Sequence, residues 1–201
     1  LNEDDAVHGV LMFRPLPKHL DENEACEALA PEKDVDGITR GSMASIYSGK
    51  GAGFAPCTAE SCIEILKYNN VEMSGKRAVV IGRSLVIGKP VAMLLMANNA
   101  TVTVCHSRTK DMPNVVKEAD IVIACLGRAE MINKDYFAPG QVVLDVGINW
   151  SEEKNKLVGD VAFDEVEPIV DAITPVPGGV GSGTTAVLIR HVVEAAEKAT
   201  A

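Results

Sequence analysis

Arg77-Ala78-Val79-Val80-Ile81-Gly82-Arg83-Ser84-Leu85-Val86-Ile87-Gly88-Lys89-Pro90 is the stretch that decides the fold. Ala78 to Ile81 is apolar and β-branched, the pattern of a strand buried on both faces. Gly82 ends it. A polar turn follows, and after Pro90 the run Val91 to Ala97 reads as a helix. Strand, glycine turn and helix start together form a phosphate-binding geometry, because backbone N–H groups and the helix N-terminus face the anion. Five residues separate Gly82 from Gly88, so the turn departs from Gly-x-Gly-x-x-Gly. Taken alone, it is better read as glycines that pack a helix on a strand, and the rest of the chain has to decide.

Outward from this unit the pattern alternates. Thr101 to Cys105, Ile121 to Cys125, Val142 to Val146 and Ala172 to Thr174 read as strands. Between them, Asp111 to Ala119 reads as a short helix with Pro113 in its first turn. Upstream, Thr58 is expected to cap a helix to about Asn69, with Cys62, Ile63, Ile65 and Leu66 inward. From Thr184 a final helix is expected to bury Val187, Leu188, Val192, Val193 and Ala196. Near the start, Val7 to Phe13 reads as a strand closed by Pro15-Leu16-Pro17, and Asp21 caps a helix to Leu29. Strands alternating with helices predict an α/β fold with a Rossmann-like, doubly wound parallel sheet. The glycine-rich Gly49 to Gly53 marks a domain boundary.

Composition narrows the function. The 201 residues carry 19 basic and 28 acidic side chains, a formal net charge of −9. Nucleic acid and anionic membrane are disfavoured as partners, whereas an anionic cofactor needs only a local positive pocket. No apolar run approaches the roughly 18 residues of a membrane span. The opening Leu1-Asn2-Glu3-Asp4-Asp5 has no basic n-region, so no secretory leader is expected. Five scattered cysteines without a Cys-x-x-Cys pair fit a reduced, cytoplasmic protein. His8, His19, His106 and His191 lack ligand spacing, so no metal is assigned.

The chemistry gathers at predicted strand ends. Where an NAD-binding unit carries an acidic residue for the ribose 2′-hydroxyl, this chain has Cys105-His106-Ser107-Arg108-Thr109. Each of Arg83 and Arg108 alone reads as a solvated loop arginine. Together, at two strand ends, they suit a 2′-phosphate and favour NADP over NAD. Asp145 ends another strand and is a turn former or a crevice residue, with the Gly147 and Ile148 backbone placed to meet a nicotinamide amide. Pro175 to Gly183 is stiffened by proline and opened by glycine, so it either lines a flat ring or only crosses to the last helix. Asp36, beside Asp34 and Lys33, reads alone as a solvated loop aspartate.

These pieces occur together in one family. The chain resembles the bifunctional methylenetetrahydrofolate dehydrogenase/cyclohydrolases. The match is carried by Leu1-Asn2-Glu3-Asp4 with Val7-His8-Gly9-Val10-Leu11 and Pro15-Leu16-Pro17, by Lys33-Asp34-Val35-Asp36-Gly37, by Gly82-Arg83-Ser84 with Val86-Ile87-Gly88 and Pro90, by Cys105-His106-Ser107, and by Ile173 to Gly181. The resemblance implies two α/β domains around a cleft. Residues 1–54 are part of a folate-binding domain, 55–180 a nucleotide domain, and 181–201 a helix returning to the first. It implies NADP-dependent oxidation of 5,10-methylenetetrahydrofolate and hydrolysis of the methenyl product to 10-formyltetrahydrofolate, in the one-carbon metabolism that serves purine biosynthesis. It further implies tetrahydrofolate derivatives as ligands and a homodimer through the nucleotide domain.

Carried onto this chain, the resemblance implies that Gly82, Arg83, Ser84, Ser107, Arg108 and Ile148 contact the cofactor. Asp36 acts on the pterin ring, and Met12, Phe13, Arg14 and Pro177, Gly178, Gly179, Val180 and Gly181 line the folate site. Three departures stand out. The family's upstream Tyr-x-x-x-Lys segment is not among these residues, so a polypeptide of these residues alone is expected to lack cyclohydrolase activity. Phe13-Arg14 replaces the usual Gln-Leu, and Phe13 cannot hydrogen-bond through its side chain. Ser182-Gly183-Thr184 replaces Pro-Met-Thr, which predicts a looser start to the final helix. The competing readings are a dehydrogenase with hydrolysis weakened or lost, and an inactive nucleotide-binding module.

Overall fold

Ala78 and Val80 face one side of a sheet and Val79 and Ile81 the other, and all four are buried. The computed structural model describes residues 1–200. The helices are α1 (Glu22–Ala28), α2 (Arg40–Ser48), α3 (Cys57–Tyr68), α4 (Gly88–Ala97), α5 (Met112–Lys117), α6 (Phe163–Val166) and α7 (Val180–Thr200). The strands are β1 (Arg77–Ile81), β2 (Thr101–Cys105), β3 (Ile121–Ala124), β4 (Val142–Asp145), β5 (Asn149–Ser151), β6 (Lys156–Val158) and β7 (Ala172–Ile173).

Five strands form one sheet in the order β2-β1-β3-β4-β7, and every pairing in it is parallel. Alternate residues of β1, β3 and β4 feed two cores, one under α3, α4 and α7 and the other on the α5 side. Burial on both faces is why these strands read as unbroken apolar runs. The chain runs from β1 outward to β2, then returns past β1 to β3. In such sheets the ligand crevice opens at that reversal, outside the carboxyl ends of the strands. β5 and β6 form a separate antiparallel hairpin just beyond β4. No helix of the described residues is long and apolar enough to cross a membrane.

Several local expectations change. Val7 to Phe13 is not a strand and makes only a single parallel bridge, Val10 to Asp34. The tight turn at Pro31–Lys33 brings only one residue alongside, so no ladder grows. Asp21 caps α1, accepting from Asn23 and Glu24 N–H. Pro56, not Thr58, precedes α3, and Thr58 lies inside the helix. The sequence reading assigns no element to Arg40–Ser48, yet it forms α2, whose one buried residue is Ser42; Thr39 caps it and Gly49, at φ 67°, ends it.

The last helix starts at Val180, four residues before Thr184. Its buried residues are Val180, Val187, His191 and Ala195, whereas Val192 and Val193 are exposed. The inward stripe is therefore set by contacts with α3 and with Val35 and Phe54, not by the largest apolar side chains. The start of the helix is tied to α3. Ser61 Oγ donates to the Val180 carbonyl at 3.1 Å, and Thr184 Oγ1 donates to the same oxygen at 3.1 Å.

Candidate active site

The turn after β1 is built by close approach. Gly82 has φ 136°, and a Cβ there would lie 2.5 Å from the Cys125 carbonyl oxygen at the end of β3. A Cβ on Gly88 would lie 2.5 Å from the Gly82 carbonyl. Only glycine lets this turn close against both neighbours. Ser84 then caps the helix from within the turn: its Oγ accepts from Ile87 and Gly88 N–H, and its carbonyl accepts from Lys89 N–H. The first amides of α4 are therefore occupied, and they are not the anion donors the sequence suggested.

Other amides remain. Among the described residues, the N–H groups of Arg83, Ser84, Leu85 and Val86 make no hydrogen bond within the chain. Consecutive free amides of this kind form an anion-binding concavity. Arg83 beside them is exposed, as are Ser107 and Arg108 after β2. Ile81 pairs with Cys105 in register, so the two arginines follow the ends of adjacent strands. Free amides plus two guanidinium groups are a donor set that fits an anionic dinucleotide.

A cavity of about 300 Å³ opens at the end of β4. Asp145, Ile148, Pro177, Gly178, Gly179, Val180 and Gly181 are among its walls. One side is held by two buried aspartates. The Asp145 carboxylate accepts from Gly147, Asp160 and Val161 N–H at 2.9–3.0 Å. Burial pushes its pKa up, those three bonds pull it down, and the Asp160 charge adds to the rise, leaving it at about 6. The Asp160 carboxylate accepts from Leu126, Gly127 and Arg128 N–H and from the Asn149 side chain. It thus ties the loop after β3 to β5 next to Ile148. Burial, then the Asp160 charge, raises the Cys125 thiol to about 12, so it stays protonated near neutral pH.

The aspartate loop divides its labour. Asp34 is fully buried and shapes the loop, accepting from Ile38 and Thr39 N–H and from Ser42 Oγ. Asp36 is only partly buried and accepts one long bond from Cys57 N–H, at 3.3 Å. It keeps acceptor capacity for a ligand.

The structure therefore brings Ile148 together with Pro177–Gly181, and Gly82, Arg83 and Ser84 beside the strand that leads to Ser107 and Arg108. It separates the three residues of the first motif. Phe13 is 84% exposed, Arg14 turns inward to Glu22 at 3.8 Å, and Met12 lines a separate hollow with Val10 and Leu29. Arg14 shares a cavity of about 580 Å³ with Tyr47, Leu85 and Val86, between the first segment and the β1 turn. Asp160 and Asn149 were not singled out in the sequence. Asp160 follows Gly159 between the apolar pairs Leu157-Val158 and Val161-Ala162, which reads as a turn former, and the loop amides that bury it come from residues 126–128, far away in sequence.

The sequence profile for the NAD(P)-binding domain of tetrahydrofolate dehydrogenase/cyclohydrolase matches residues 56–200, and the profile for that family's catalytic domain matches residues 1–36. The bifunctional protein FolD of Carboxydothermus hydrogenoformans is 58% identical over 192 residues, covering 95% of this chain and 67% of that protein. Among solved structures, the bifunctional enzyme FolD from Campylobacter jejuni superposes with a TM-score of 0.94 at 41% identity, over 98% of this chain and 70% of that one. The Trypanosoma brucei methylenetetrahydrofolate dehydrogenase-cyclohydrolase, solved with NADP cofactor and an inhibitor, gives 0.90 at 35% identity, over 99% and 70%. With near-complete coverage at such identities, and a sheet that carries its glycine turn where a dinucleotide needs it, this chain belongs to the tetrahydrofolate dehydrogenase/cyclohydrolase family.

Proposed function

We propose that the chain oxidises 5,10-methylenetetrahydrofolate to the 5,10-methenyl form with NADP, and that hydrolysis to 10-formyltetrahydrofolate follows in the same cleft where the family's upstream lysine segment is joined to these residues. One observation carries this reading. The free amides of Arg83–Val86, Arg108, and the cavity of Ile148 and Pro177–Gly181 all lie at the carboxyl edge of one parallel sheet. NADP, when bound, supplies the acceptor for the hydride. The chain's own residues supply placement. Gly82, Arg83, Ser84, Ser107 and Arg108 hold the phosphates, and Ile148 lies toward the nicotinamide end. Pro177, Gly178, Gly179, Val180 and Gly181 offer the folate a flat, stiff wall, and Asp36 anchors the pterin N–H donors by charge-assisted hydrogen bonds. Hydride leaves a carbon already activated by its nitrogens, so alignment is the main requirement.

Residues 1–54 serve as the folate side and 55–180 as the nucleotide side, with α7 spanning both. A second reading, oxidation with hydrolysis weakened, is favoured by Phe13, which offers water no hydrogen-bonding group and faces solvent. The partner we propose is a second copy of the chain, docked through the nucleotide domain, where β2 is an unpaired edge with Thr101, Thr103 and Val104 exposed. Free cysteines at all five positions suit the cytoplasm. The test is reduced-nicotinamide absorbance with methylenetetrahydrofolate and either NADP or NAD. Reduction of NADP supports the reading; silence with both supports an inactive module.

A further inference from the structure

His191 is 1% exposed on α7, and the proposed chemistry does not use it. Its Nδ1 lies 2.9 Å from the Val35 carbonyl oxygen and its Nε2 lies 3.0 Å from Glu60 Oε2. A carbonyl oxygen only accepts. Glu60 is also an acceptor: burial pushes its pKa up, but the His191 hydrogen bond, the His191 charge and Arg190 together hold it below the ordinary carboxylate range. An imidazole facing two acceptors satisfies both only by carrying a proton on each nitrogen. The remaining groups agree. Arg190 pairs with Glu60, with Glu64 at 3.2 Å and with Glu194 at 3.5 Å. Burial, then Asp36, raises the Cys57 thiol, which stays protonated; its Sγ lies 3.2 Å from the Val35 carbonyl and 3.6 Å from His191 Nδ1, and with Nδ1 donating to that carbonyl the thiol proton goes to the carbonyl as well. The Phe54 ring stacks 4.6 Å from His191, with Lys198 4.3 Å from that ring.

The Val35 carbonyl belongs to the peptide that leads into Asp36. Since the Asp36 carboxylate has only its long bond to Cys57 N–H, its place depends on that peptide. Gly37, just after it, turns at φ 63° against Pro56. The first turn of α7 lines the cavity at the end of β4, and His191 lies eleven residues further along, ~16 Å at the helical rise. One rigid helix therefore touches both segments assigned to folate.

We propose that His191 is a positioning residue for Asp36: donating from both ring nitrogens, it clamps the Val35–Asp36 peptide to α3 and α7 and sets where the carboxylate meets the folate. This rests on the folate role of Asp36 given above.

The experiment has two arms. In the first, long-range proton–nitrogen correlation on the unaltered chain at about pH 7 reads the two ring nitrogens of His191; both protonated is expected, and one bare nitrogen overturns the clamp. In the second, calorimetry at about pH 7 reads tetrahydrofolate and NADP binding to the unaltered chain, His191→Gln and Asp36→Asn. Losing a charge-assisted hydrogen bond predicts roughly tenfold weaker folate binding for Asp36→Asn and for His191→Gln, with NADP binding unchanged. If Asp36→Asn binds folate normally, the site reading falls and the clamp's function with it. If Asp36→Asn is weak but His191→Gln is normal, the clamp alone falls. Should His191→Gln not fold, Glu60→Gln replaces it; weakening the acceptor of Nε2 should weaken folate binding and leave NADP binding unchanged, and unchanged folate binding overturns the proposal.

Discussion

The backbone N–H of Asp160 donates to the Asp145 carboxylate at 2.9 Å, and the Asp160 carboxylate in turn gathers the N–H groups of Leu126, Gly127 and Arg128. Two buried acids thus hold three loops at one edge of the sheet. Asp160→Ala strips partners from three backbone donors and from Asn149. We expect a loss of about 3 kcal/mol or more, at roughly 1–3 kcal/mol per stranded buried group, together with weaker NADP binding. Urea unfolding and calorimetry check both, and a loss below about 1 kcal/mol would show that water replaces the carboxylate.

Asp145 sets a pH dependence of defined sign. Its folded pKa, about 6, lies above the ordinary value of 3.8, so the folded state takes up a proton before the unfolded chain does. Its contribution is fully present below 3.8 and is lost as pH rises through about 6. The difference corresponds to ~3 kcal/mol at 1.36 kcal/mol per pH unit. Urea midpoints measured between pH 4 and 7 should carry a falling component that disappears in Asp145→Asn. That variant should also be less stable throughout, because its single oxygen faces three donors.

Gly183 on α7 lies so close to Ser61 on α3 that a Cβ would collide with the Ser61 hydroxyl. Gly183→Ala should cost about 1–3 kcal/mol through overpacking, despite the higher helix propensity of alanine. Adding Ser61→Gly should recover much of this in a double-mutant cycle. Purely additive losses would mean that the helices separate freely.

Arg83→Gln and Arg108→Gln should each raise the KM for NADP by roughly tenfold while leaving the KM for NAD little changed, as expected from loss of one charge-assisted contact to a phosphate. Equal effects on both cofactors would remove the 2′-phosphate from the argument.

Phe13→Gln should increase hydrolysis of methenyltetrahydrofolate, followed by loss of its absorbance, without changing the dehydrogenase rate. Because Phe13 is 84% exposed, stability should shift by no more than about 0.5 kcal/mol. Unchanged hydrolysis would mean that water is activated elsewhere.

The nucleotide half was readable because its physics is local. Ala78–Ile81, Ile121–Ala124 and Val142–Asp145 are unbroken apolar runs, and burial on both sheet faces produces such runs directly. Turns at Gly82 and Pro175–Gly181 announce themselves by residues that few other conformations require. Helix α2 and the β5–β6 hairpin did not, since their residues are mostly polar and rely on contacts made elsewhere in the chain. Asp34, Asp160 and His191 were opaque for a related reason. Each is a polar side chain whose burial is set by segments distant in sequence: His191 meets Glu60 and Val35, and Asp160 meets Leu126. The same long-range contacts decide that Val187 and Ala195 face inward on α7 while Val192 and Val193 do not.

Helix α7 touches the cavity beyond β4 with its first turn and the Asp36 loop with His191. Each residue turns an α-helix by about 100° and advances it about 1.5 Å. A single insertion or deletion between Gly181 and His191 would swing the imidazole around to another face of the helix, while a substitution at an exposed position such as Ile189 or Val192 leaves the phase intact. Along this segment, variation among viable sequences should therefore run through residue identity and almost never through length.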